Sequence, residues 1–187
     1  MKKHILFLLV FCFLLGVSSG EARQRYAVKK GKPGKWATSF IADGGIVTST
    51  AQRRTHRAGL GGAFRVGYGF WEGISVEGDF AYDLLFVEDS KGRDNLHLIS
   101  VNTGLRYSHY ILQDDLSLYA SPLVGLTVGL EDNHDTLSDF SYVLAAGLDA
   151  HVTDRLSLGP VFRYRHVLAE VDIHLMTFGV CATYLFK

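Results

Sequence analysis

Apolar residues alternate with small or ionised ones in eight successive segments bounded by Gly, Asp, Asn and Ser, a period of two that predicts an all-β chain. The segments run to ten residues or more. A tilted strand crossing hydrocarbon needs about 9 to 11 residues, whereas soluble strands average about five or six. The connections alternate between tight turns and longer polar loops. Together these observations predict a transmembrane antiparallel up-and-down β-barrel of about eight strands.

Residues 1–20 read as a signal peptide. Lys2 and Lys3 precede an apolar run from Ile5 to Val17 and then small residues, with cleavage expected after Gly20 or Ala22. Cys12 belongs to this run, so the mature chain keeps Cys181 alone and can form no internal disulfide. Loss of Lys2 and Lys3 from a chain with 19 basic and 19 acidic residues leaves a slightly acidic protein. Such a balance gives no field that would favour nucleic acid. Residues 21–35, rich in Lys and Arg and punctuated by Gly and Pro, read as a basic flexible tail, and the barrel itself spans 36–187.

The eight segments fall at about 36–49, 60–71, 74–87, 96–111, 116–130, 140–152, 156–168 and 174–186. "WEGI", "LQDD" and "VTDR" are the tight turns; "AQRRTHRAG", "EDSKGRDN", "EDNHDTLSD" and the short "AEVD" lie at the opposite end. Splitting each segment by parity separates two faces. One is apolar, as in Leu60, Phe64, Val66, Tyr68 and Phe70, or Phe162, Tyr164, His166 and Leu168. The other is small or ionised. It holds Asp43, Arg65, Glu77, Asp79, Asp83, Arg106, Asp149, Arg163 and Arg165 among Gly, Ser and Thr, with Tyr119 its one large aromatic.

Eight strands enclose an interior only wide enough for side chains or one small ligand, so a lipocalin-like barrel with the apolar face inside would be overpacked. Turned outward, that face suits lipid. The interior would then hold four arginines against five carboxylates and no lysine, which suits a salt-bridged plug: Arg pairs bidentately, and an unpaired enclosed charge is costly. Arg163 and Arg165 are expected to reach carboxylates such as Glu77, Asp79, Asp83 and Asp149 on other strands. The Arg–aromatic alternation of "FRYRH" also suggests a nucleic-acid stacking platform, but strand geometry puts the arginines and aromatics on opposite faces.

"LGGAFRVGYGFWEGISVEGDFAYD", "YASPLVGLTVGL", "YVLAAGLDAHVTDRLSLGPVFRYRHV" and the terminal "MTFGVCATYLF" resemble the eight-stranded outer-membrane β-barrel family of the OmpA-domain and OmpX kind. One departure is Lys187 after Phe186, where the family ends on the aromatic. The resemblance implies a bacterial outer-membrane location and assembly by the outer-membrane insertion machinery.

Some relatives of that kind act on lipid A. His56 with Asp89 and Ser90 in "FVEDS" resembles the loop of a lipid A palmitoyltransferase, and a Ser with a His base is sound acyl-transfer chemistry. "RHVLAE" resembles the His strand of a lipid A deacylase, but Leu168 stands where the Ser would be. The expected role is therefore non-enzymatic, structural and surface-interacting, in a protein acting as a monomer. A narrow channel for small or hydrophobic solutes is the alternative, and a lipid A acyltransferase or deacylase the second. Arg53, Arg54 and Arg57 are candidates for lipopolysaccharide phosphate contact. Glu131, Asp132, His134 and Asp135 read as a solvated acidic loop, and Cys181 as a small filler. His97, His109, His151, His166 and His174 share no ligand spacing, so neither metal nor cofactor is expected.

Overall fold

The computed structural model describes residues 34–48, 56–87, 95–111, 115–131, 137–169 and 172–186. They form eight strands: β1 (Lys35–Val47), β2 (His56–Trp71), β3 (Ile74–Val87), β4 (Leu96–Ile111), β5 (Leu116–Glu131), β6 (Leu137–His151), β7 (Leu156–Val167) and β8 (Ile173–Leu185). Each pairs antiparallel with its sequence neighbours, and β1 pairs with β8, so the sheet closes into a barrel with no free edge. Closure leaves the wall without an open sheet edge, a condition that hydrocarbon imposes on any spanning sheet.

The two faces of the alternation have opposite surroundings. Phe40 and Phe178 are each 64% exposed and Val101 is 61% exposed, whereas Ala81, Ala145, Ser121 and Cys181 at inward positions have no exposed surface. Aromatics gather at the ends of the outward face. Trp36, Tyr68, Trp71, Tyr107, Tyr184 and Phe186 ring the turn end, and Tyr82, Phe86, Phe140 and Tyr142 ring the loop end. Such girdles mark the two borders of a membrane band.

The turns are built from local chemistry. In β2–β3 Gly73 adopts φ +72°, a left-handed conformation that glycine enters without steric cost. In β6–β7 the Thr153 hydroxyl accepts from the backbone N–H groups of Arg155 (3.2 Å) and Leu156 (3.0 Å). A side-chain oxygen there substitutes for a ladder acceptor.

Two boundaries differ from the alternation. β2 starts at His56 and β6 at Leu137, both ahead of the apolar run, and His56 pairs with Val87 across a register shift. Backbone pairing needs no apolar side chain, so the strands continue into polar sequence beyond the lipid band. The inward face also differs at the loop end. Val47, Leu85, Leu96, Leu98, Val167, Ile173 and Leu175 form one buried apolar cluster there, above the small and ionised layers.

Candidate functional site

The lumen is layered by register. Arg65 on β2 stands directly opposite Asp79 on β3, which stands opposite Asn102 on β4. Arg65 lies 3.3 Å from Asp79 and 3.3 Å from Glu77. Glu77 is in turn 3.4 Å from Arg106, which also pairs with Asp149 across the barrel. The Arg106 guanidinium carbon sits 3.7 Å from the centroid of the Tyr119 ring, a cation–π contact that accounts for a large aromatic inside. Neutral groups complete this first cluster. Ser121 donates to Glu77 (3.0 Å), Asn102 donates to Asp79 (3.2 Å), and Ser141 donates to Asn102 (3.3 Å).

A second cluster lies nearer the loops. Arg163 is 2.8 Å from Asp43 and 3.5 Å from Asp83, and Arg165 also pairs with Asp83. Thr177 donates to Asp43 (3.0 Å). The partners of Arg163 and Arg165 are therefore Asp43 and Asp83; Glu77, Asp79 and Asp149 belong to the other cluster. Tilt explains the difference, because inward neighbours are set by the stagger of the closed sheet, which parity along one strand does not contain. Asp43 and Asp83 flank Gly61 in the ladder, and a Cβ at Gly61 would strike Asp83 and come within 2.8 Å of Asp43 Oδ1. Glycine is what allows two carboxylates to share that layer. All nine ionised residues are at most 8% exposed.

A cavity of about 270 Å³ occupies the turn end of the lumen, reaching Glu77, Arg106, Ser117 and Asp149. Beyond it stand the two ionic clusters and then the apolar cluster. Cys181 is buried, with its thiol 3.5 Å from the Thr183 hydroxyl.

On the outer wall, three tyrosines bond three histidines at the loop end: Tyr82 with His97 (2.7 Å), Tyr142 with His166 (2.6 Å) and Tyr164 with His174 (2.6 Å), each through Nδ1. His166 and His174 are direct cross-strand partners with stacked rings, centroids 4.1 Å apart. Chain spacing alone cannot show this pair, because it depends on β7–β8 register.

The other loop candidates are less fully placed. Arg53, Arg54, Asp89, Ser90, Asp132, His134 and Asp135 lie outside the described residues, His56 and Arg57 open β2, and Glu131 ends β5.

A closed eight-stranded barrel with an apolar belt, two aromatic girdles and an ion-paired lumen defines a transmembrane β-barrel of the outer-membrane class. The chain matches the family model "Outer membrane protein beta-barrel domain" over residues 5–186, and it belongs to that family. Its fold is similar to Neisserial surface protein A (TM-score 0.63, 12% identity, covering 80% of this chain and 96% of that one). It is likewise similar to Ail, the attachment invasion locus protein of Yersinia pestis (TM-score 0.56, 20% identity, 83% and 100%). A third similar structure is the outer membrane protein OprG of Pseudomonas aeruginosa (TM-score 0.58, 12% identity, 83% and 97%). No curated protein matches the sequence.

Proposed function

We propose that this chain is a non-enzymatic integral protein of the bacterial outer membrane, acting as a monomer, that reinforces the bilayer and presents its loops for surface contact. On this reading residues 1–20 are removed on export and the insertion machinery folds the barrel into the membrane. Arg53, Arg54 and Arg57, between the apolar runs of β1 and β2 in the sequence, meet lipopolysaccharide phosphates.

The observation that supports the reading best is the obstructed lumen. Four arginines and five carboxylates fill its middle, and seven apolar side chains, from Val47 to Leu175, cover its loop end. A solute would have to separate buried ion pairs, and removing one partner of such a pair costs about 3–5 kcal/mol. Planar-bilayer recording of the refolded protein tests this: no stable conductance is expected, and a robust single-channel current would overturn the plug.

The cavity at the turn end favours one second reading, a narrow channel for small or hydrophobic solutes whose apolar cover opens. The same recording decides it. Mass spectrometry of lipid A from expressing cells checks the non-enzymatic assignment; any acyl chain gained or lost relative to cells without the protein would refute it.

A further inference from the structure

We infer that the outer rim of the β7–β8 hairpin is a binding site for a borderline divalent transition-metal cation of the zinc type, ligated by His166, Asp172 and His174. The ligand atoms of these three residues lie within 4.8 Å of one another. His166 Nε2 is 3.3 Å from Asp172 Oδ1. It is enclosed by protein yet makes no hydrogen bond.

The surroundings are those of a prepared ligand set. Each histidine uses Nδ1 on a tyrosine hydroxyl, His166 with Tyr142 and His174 with Tyr164. When Nδ1–H donates to the tyrosine oxygen, the Nε2 lone pair is left free for a metal, the arrangement by which an outer partner fixes tautomer and ring orientation. Direct cross-strand pairing holds the two rings side by side, stacked at an interplanar angle of 19°, so that a splay of the rings brings both in-plane Nε2 lone pairs onto one ion. The backbone beneath is anchored too, because Thr48 N–H donates to the His174 carbonyl at 2.8 Å. Asp172 lies at the end of the loop between the strands and is 55% exposed, so it can move the short distance needed to complete the set.

The donor chemistry selects the cation. Two imidazoles and one carboxylate suit Zn²⁺, Ni²⁺ and Cu²⁺, whereas Mg²⁺ and Ca²⁺ prefer all-oxygen shells. Three protein ligands leave one position of a tetrahedral shell for water. His97 provides the contrast: it shares the tyrosine bond and the girdle position but, among the described residues, belongs to no such group of three.

The test uses the full-length chain without an affinity tag, folded in detergent micelles, stripped with a chelator and titrated with ZnCl₂. One equivalent should bind, and it should be lost in His166→Gln and in His174→Gln. Asp172→Asn should weaken it, and Tyr164→Phe, which leaves all three ligands in place, should weaken it by roughly tenfold or more. His97→Gln should bind as the parent does. Heat-modifiable gel mobility checks that each variant folds, and if a histidine variant does not, Tyr164→Phe and Asp172→Asn carry the comparison. Absence of binding by the parent protein, zinc uptake unchanged by both histidine substitutions or by both of the milder ones, or displacement of zinc by an equal concentration of Mg²⁺ would each overturn the assignment.

Discussion

Arg163 is the residue whose surroundings define the lumen's energetics. It faces Asp43 and Asp83, while Asp83 has a second cation in Arg165. Arg163→Ala therefore strands mainly Asp43, and urea unfolding of the refolded protein should show a loss of about 3–5 kcal/mol. Adding Asp43→Asn should return part of that loss, since it removes the stranded charge; the double-mutant cycle should show a coupling of about 1–3 kcal/mol. Additive losses would mean that the two residues do not interact. Gly61→Ala should cost about 1–3 kcal/mol in the same assay, because its methyl enters the space between Asp43 and Asp83. Parity alone was enough to place the nine ionised residues on one face, but their pairing was not legible. Which carboxylate meets which guanidinium depends on stagger around the ring, a property of no single strand.

At the scale of the element, strand identity was legible because lipid and a crowded lumen impose opposite chemistry on successive residues. β3, β4 and β7 follow their apolar alternation to within a residue or so. The early starts of β2 and β6 were hidden because the residues that open them do not follow the apolar alternation. The apolar cluster at the loop end was hidden for another reason. Leu85, Leu96 and Leu98 continue the inward parity of β3 and β4, but apolar residues on both faces erase the contrast on which alternation depends. Midway along β4, Val101 faces outward. Val101→Arg should destabilise the folded barrel by about 2–4 kcal/mol in a lipid bilayer, the range for a cation on the lipid face near the midplane. An effect near zero would put Val101 outside the hydrocarbon.

The molecule as a whole is a ring of eight antiparallel pairings closed between β1 and β8. A ring with an apolar exterior should leave membranes only with detergent and should run on gels as a compact species that slows after boiling. A chain that stays soluble and monomeric without detergent would contradict the outward orientation of Phe40, Val101 and Phe178. The fold class could be read from the sequence because it follows from period, length and turn spacing. The paired histidines of the β7–β8 rim could not, because His166 and His174 meet only through hairpin register.

The closing seam holds more than backbone bonds. Asp43 of β1 stands opposite Gly179 of β8, accepts from Thr177 of β8 and pairs with Arg163 of β7. Joining the two ends of the sheet thus also brings Arg163 its nearer carboxylate. A seam slipped by a single residue would take Asp43 out of its inward register and leave Arg163 to share Asp83 with Arg165. The ion pair therefore ties the charge balance of the second cluster to the register in which the ring closes.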